Sequence, residues 1–156
     1  MSTAAAWVQA IGSIGAIGAA IWISRLDIKW RNKEKKEYRL AILELARLAH
    51  RELLYLDETI NEDYAYLHGE GVSNHDLNRH LLALKTVSLE TFPSKKSFVD
   101  LHEFERLCER MSFLIDSLKN DLAIGRVSPD FTERSEEIKS AADEVMERLT
   151  HSLKRG

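Results

Sequence analysis

The sequence predicts an all-α protein in which an N-terminal transmembrane helix is followed by a cytosolic antiparallel four-helix bundle. Three observations predict it. An uncharged apolar run of about twenty residues, the length of a membrane span, opens the chain. Apolar residues then recur at steps of three and four through nearly all of the remainder, the period of a helix face. No stretch alternates with the period of two that marks a strand.

Residues 4–23 read AAAWVQAIGSIGAIGAAIWI, without a charged side chain. At 1.5 Å rise per residue they span roughly 30 Å, the thickness of a bilayer's hydrocarbon core. Trp7 and Trp22 stand near the two ends, where indoles favour the membrane–water boundary. The basic residues Arg25, Lys29, Arg31, Lys33, Lys35, Lys36 and Arg39 all follow the run. By the positive-inside bias, the N-terminus should face outward from a bacterial inner membrane and the rest should lie in the cytoplasm. Trp7, Trp22, Arg25, Lys29, Trp30 and Arg31 form the expected membrane-interface set. A cleaved signal peptide would have a basic start, and an interfacial helix would have a charged face. A helix of a soluble domain rarely runs so far without charge. Spanning is the expected role.

The helix face is uneven. At 100° per residue, Gly12, Gly15, Ala16, Ala19 and Ala20 gather on one side with Gln9 and Ser13 beside them, opposite Trp7, Ile11, Ile14, Ile17, Ile21 and Trp22. Gly12/Ala16, Gly15/Ala19 and Ala16/Ala20 are small-xxx-small pairs, which let helices approach closely in lipid. Gln9 and Ser13 are costly against hydrocarbon and call for another helix or water. This face predicts a homo-oligomer and, more sharply, a narrow polar-lined pore.

The expected organisation is an outer N-terminus and spanning helix over residues 1–24, a basic juxtamembrane helix over 25–37 and a bundle over 38–156. The chain has 156 residues, 30% of them charged, with a formal net charge of −3. The basic residues cluster beside the membrane rather than forming a broad positive face. They favour anionic lipid headgroups and do not favour nucleic acid. Cys108 is the single cysteine, which excludes an intramolecular disulfide and a thiolate metal cluster. Its place on an apolar stripe reads as a buried structural thiol.

Four helices follow the basic segment. In residues 38–67 the stripe Ile42, Ala46, Ala49, Leu53, Leu56, Ile60, Tyr64, Leu67 marks one face, with no breaker between it and the membrane segment. The sequence HGEG at residues 68–71 should end it. Ser73 should cap a second helix carrying Leu77, Leu81, Leu84 and Leu89 and stopping near Phe92, before Pro93. Ser94 should cap a third, with Phe98, Leu101, Phe104, Cys108, Met111, Ile115, Leu118 and Leu122 inward and Gly125 at its end. Ser128 and Pro129 should open a fourth, carrying Phe131, Ile138, Ala142, Val145, Leu149 and Leu153. Its acidic residues lie toward its start and Lys154 and Arg155 at its end, which suits the helix dipole. Short loops make neighbouring helices antiparallel.

The chemistry is sparse. The six histidines are scattered, with no HExxH and no phosphate-binding loop. His102 and Glu105 lie one turn apart, yet a metal site needs three or four convergent ligands. Arg47 with His50, and Arg148 with His151, lack the Arg-x4-6-His spacing of HEPN-type ribonucleases. Arg47, Arg51, Glu52, Asp57 and Glu58 read as a solvated helix face, and Tyr55, Tyr64 and Tyr66 as residues edging the core with wet hydroxyls. No nucleophile, base and orienting group assemble, so no enzyme, metal or cofactor is expected.

The segment from Trp7 through Ile17 and the basic stretch after it resemble the beginnings of small bacterial and prophage single-pass membrane proteins. In layout, a membrane helix followed by a helical bundle, the chain is also similar to the membrane accessory protein of RNA-targeting CRISPR systems. That resemblance implies ring assembly and pore formation, as a phage-defence or prophage effector. The expected function is therefore a non-enzymatic, homo-oligomeric inner-membrane protein that forms a pore or perturbs the bilayer. The alternative is a membrane-tethered adaptor whose bundle recruits a cytosolic protein partner.

Overall fold

The structure, a computed structural model, describes the backbone of residues 3–62, 73–124 and 130–155. Within these, side chains are described from Ala20 onward except those of residues 61, 62, 91 and 155. The described residues form α1 (Thr3–Glu62), α2 (His75–Leu84), a 3-10 turn (Leu89–Thr91), α3 (Lys95–Ala123) and α4 (Asp130–Arg155), with no strand among them. The chain divides into two units, Met1–Glu37 and Tyr38–Gly156, and α1 contributes to both.

In the first unit every described side chain is exposed, including Ile21, Trp22, Ile23, Ile28 and Trp30. Pairs one turn apart line this helix. Arg31 Nη2 lies 2.8 Å from Asp27 Oδ2, and Lys33 Nζ lies 5.7 Å from the Trp30 ring centre. Such exposed pairs add only tenths of a kcal/mol each to a helix, roughly 0.2–0.5. Among the described residues no helix is long and apolar enough to cross a membrane. The side chains of residues 1–19 lie outside that description, and with them most of the predicted spanning segment.

The second unit is built on the predicted stripes. On α1, Ile42, Ala46, Ala49, Leu53, Leu56 and Ile60 are buried, joined by Leu43. Tyr64, Tyr66, Leu67 and the expected helix end at 68–71 lie outside the described residues. On α3, Leu101, Phe104, Cys108, Met111, Ile115 and Leu118 are buried, with Leu107 and Leu114 widening the stripe. Phe98 and Leu122 pack at its edge, half-buried. On α4, the six expected residues are buried together with Met146.

Side-chain pairs give the direction of each helix. His50 meets Asp143 and Asp57 meets Ser135 and Lys139, so α1 and α4 run antiparallel. Asp100 meets Arg148, while Arg110 and Arg134 line a common groove, so α3 and α4 are antiparallel too. Asn74 reaches Ser112 and Lys85 reaches Glu109, which sets α2 antiparallel to α3. α1 and α3 are thereby parallel, with the His50 and Phe104 ring centres 6.2 Å apart.

Four expectations are corrected. The second helix ends at Leu84 rather than near Phe92, because Thr86 Oγ1 bonds back to the Ala83 carbonyl (2.7 Å) and Ser88 starts a separate 3-10 turn. Leu89 accordingly lies outside α2 and is 46% exposed. The N-cap residue of α2 is Asn74, not Ser73, although Ser73 Oγ still accepts from the His75 N–H. Asp57 does not lie on a solvated face, since Ser135 and Lys139 of α4 cover it. Ser94 does cap α3, its Oγ accepting from the Ser97 N–H at 3.1 Å. Gly125, Ser128 and Pro129 lie outside the described residues.

Phe104 is fully buried at the centre of the apolar core. Truncating such a ring removes its burial and leaves a cavity. Phe104→Ala should destabilise the bundle by about 3–5 kcal/mol in urea unfolding of the full chain in detergent, followed by circular dichroism. A loss below about 1 kcal/mol would contradict the placement of this ring.

Candidate functional site

The residues predicted to carry the membrane function separate into two sets. The side chains of Trp7, Gln9, Gly12, Ser13, Gly15, Ala16 and Ala19 lie outside the described residues. Ala20, Trp22, Arg25, Lys29, Trp30 and Arg31 are described, and all are exposed on α1.

Within the bundle, polar side chains collect where helices meet. Asp57, 3% exposed, accepts a 2.5 Å hydrogen bond from Ser135 Oγ and lies 3.6 Å from Lys139 Nζ. A carboxylate so far from water is stable only when paired and hydrogen-bonded, so this contact fixes the register of α1 on α4. About two turns further along, His50 Nε2 lies 2.8 Å from Asp143 Oδ1. Asn74 Nδ2 reaches Ser112 Oγ (2.8 Å) and Asp116 Oδ1 (3.0 Å), and the Ser112 hydroxyl donates to Asn78 Oδ1. Asn74 thus docks α2 on α3 with the same side chain that an N-cap would use locally.

Arg148 gathers the acidic side of the α3–α4 seam. Its guanidinium meets Glu103 at 2.6 Å, Glu144 at 2.8 Å and the buried Asp100 at 3.4 Å. Burial opposes its charge, but the neighbouring carboxylates, Glu103 foremost, raise its pKa. Asp100 Oδ2 has no hydrogen-bond partner, and neither has Glu105 Oε1. The other oxygen of Glu105 lies 2.6 Å from His102 Nδ1, and the His102 ring packs edge-on against Phe98. Among the described residues, no group of three or more His, Cys, Asp or Glu is placed to hold a metal ion.

The other end of the same seam differs in kind. Two shallow grooves of about 300 and 340 Å³ follow the outer face of α3 and share Arg106 and Arg110. Arg134 and Ile138 of α4 complete the first. Two large apolar residues stand off the core on this face, Val99 at 60% exposure and Phe113 at 68%. Arg106, Arg110 and Arg134 make no ion pair among the described residues. The two carboxylates that line these grooves are engaged elsewhere, Glu109 with Lys85 at 2.5 Å and Glu103 with Arg148. The Lys85 pKa is raised, chiefly by that hydrogen bond.

This face was not among the predicted site residues, yet the sequence carries its trace. Val99 and Phe113 are fourteen residues apart, close to four helical turns, so they share a face of α3 that is not the core stripe. Arg106 and Arg110 fall between them at helical spacing on the same side. It combines exposed apolar area with guanidinium groups that form no ion pair among the described residues, a combination typical of contact surfaces.

Cys108 lies inside the core, as its stripe position predicts. Burial first, and then the charges of Glu105 and Glu109, push its thiol up to about 12. A thiol in the unfolded chain ionises near 8.5, so between roughly pH 8.5 and 12 the folded state holds a proton that the unfolded state loses. Stability contributed by this group is therefore complete below that window and declines as pH rises through it. Maleimide labelling at pH 8 should leave Cys108 of the native protein unmodified and modify it rapidly in urea. Fast native labelling would contradict the burial.

In comparisons with known proteins, no family model matches the chain, and neither a curated protein nor a solved structure matches it.

Proposed function

We propose that this protein is a non-enzymatic, single-pass inner-membrane protein that homo-oligomerises and opens or perturbs the bilayer through residues 4–23. One observation carries the reading most directly. Residues 4–23 are an uncharged run of spanning length with a small-residue face, carrying Trp7 and Trp22 near its ends and followed by the basic residues. The basic, Trp-flanked part of α1 after residue 24 suits anionic headgroups on the cytoplasmic side. The layout resemblance to pore-forming accessory proteins points to the same class and to a phage-defence or prophage role.

In this reading Gly12, Gly15, Ala16, Ala19 and Ala20 face neighbouring helices, and Gln9 and Ser13 face the axis. A leucine at Gly12 or Gly15 would keep backbones apart. Expression of the full chain should depolarise the inner membrane, and Gly12→Leu with Gly15→Leu should reduce dye entry by about tenfold or more, as loss of close helix packing implies. Unchanged permeability and unchanged oligomer size in that variant would refute the reading.

A second reading, a membrane-tethered adaptor for a cytosolic protein, draws on the exposed Val99 and Phe113 of α3. Replacing residues 1–24 with an unrelated membrane anchor separates the two. Activity that survives the exchange favours the adaptor, and activity that is lost favours the membrane effector.

A further inference from the structure

The groove on the outer face of α3 calls for an acidic occupant, and the chain itself presents one. Arg106, Arg110 and Arg134 stand around Phe113 and Ile138 and form no ion pair among the described residues, while Glu109, the one carboxylate in that lining, is paired with Lys85. Holding three guanidinium groups around one apolar patch leaves repulsion that a carboxylate-bearing surface would relieve. The outward face of α4 is such a surface. At 100° per residue, Glu133, Glu137, Glu144 and Glu147 fall within roughly 80° of one another, opposite the core stripe. All four are exposed. Among the described residues only Glu144 of these four has an ion-pair partner, Arg148.

We propose that the Arg106–Arg110–Arg134 groove of one copy receives the acidic face of α4 from a second copy. The proposal rests on the homo-oligomeric reading above and names its cytosolic contact. Helix-in-groove docking fits the dimensions, because the two grooves, which share Arg106 and Arg110, together follow α3 from Val99 to Phe113, roughly 21 Å at 1.5 Å per residue. The acidic face from Glu133 to Glu147 has the same length, being also fourteen residues. Ser140 interrupts the row of carboxylates midway, and its small side chain leaves room for the protruding Phe113 ring. Arginine suits this contact, since its planar fork pairs with carboxylates bidentately and stacks on aromatic faces. The contact weakens with salt because its charges are exposed in the free chain.

The test is a charge swap in the full chain, purified in detergent. One variant carries Arg106→Glu and Arg110→Glu, and a second carries Glu137→Arg and Glu147→Arg. All four positions are exposed, so helix content and melting should stay at the wild-type level. Light scattering at low salt should show self-association weakened by about tenfold or more in each variant alone, as like charges now meet across the contact. An equimolar mixture should restore wild-type assembly, because each variant then offers the charge that the other lacks. Variants that assemble like the wild type, or a mixture that fails to recover, would overturn the inference.

The neighbouring outcomes are distinct. An oligomer indifferent to both charge variants but lost with Gly12→Leu and Gly15→Leu would overturn the docking contact and leave the membrane reading standing. Loss in the charge variants with recovery on mixing, but no effect of the glycine substitutions, would support the contact and refute the pore. A monomeric wild type whose Arg106 and Arg110 instead capture an acidic protein would overturn the inference in favour of the adaptor.

Discussion

The bundle depends on α3 serving as a common wall. Phe104 packs beside His50 of α1, Ser112 and Asp116 hold Asn74 ahead of α2, and Asp100 and Glu103 bind Arg148 of α4. A helix that packs against three others must bury a broad face. This is why Leu107 and Leu114 are buried beside the simpler stripe through Phe104, Cys108, Met111 and Ile115. What remains is the outward side, where Val99, Arg106, Arg110 and Phe113 stand among His102, Glu103 and Glu109. The same constraint that builds the core therefore isolates the surface proposed to make contact.

Polar contacts fix what apolar packing leaves free. Leucine and alanine stripes on α1 and α4 would tolerate a slip of one turn with modest loss. A slip would strand the buried Asp57 away from Ser135 and Lys139, leaving a desolvated carboxylate unpaired, at a cost of about 3–5 kcal/mol. The Asn74 side chain does similar work for α2, a helix of only ten residues that would be marginal alone. Each of these polar residues sits where two helices must agree on register.

How much was legible follows from the kind of signal involved. The stripes of α3 and α4 could be read from spacing because burial imposes the helical period directly. The Ser94 cap was equally readable, being a local contact between residues three apart. The extent of α2 was less so, because Thr86 and Ser88 compete for the backbone through short side-chain bonds that leave little mark on the apolar pattern. Asp57 was misassigned to a wet face since its partners lie 78 and 82 residues further along the chain. The α3 groove was overlooked for the opposite reason. Its Arg106 and Arg110 resemble any solvated helix face until Glu103 and Glu109 are seen to be engaged elsewhere.

The proposed membrane helix and the proposed contact between the basic groove on α3 and the acidic face of α4 describe one role, assembly at a membrane. Assembly there is the claim on which the rest turns. The most direct measurement is cysteine cross-linking in native membranes between two differently tagged full chains, one carrying Phe113→Cys and the other Ser140→Cys. Cys108 is buried and stays silent in this experiment. A short bismaleimide should yield a mixed dimer carrying both tags, and the yield should fall as salt is raised. No mixed dimer at any salt concentration, with both cysteines reactive toward a soluble maleimide, would contradict the account.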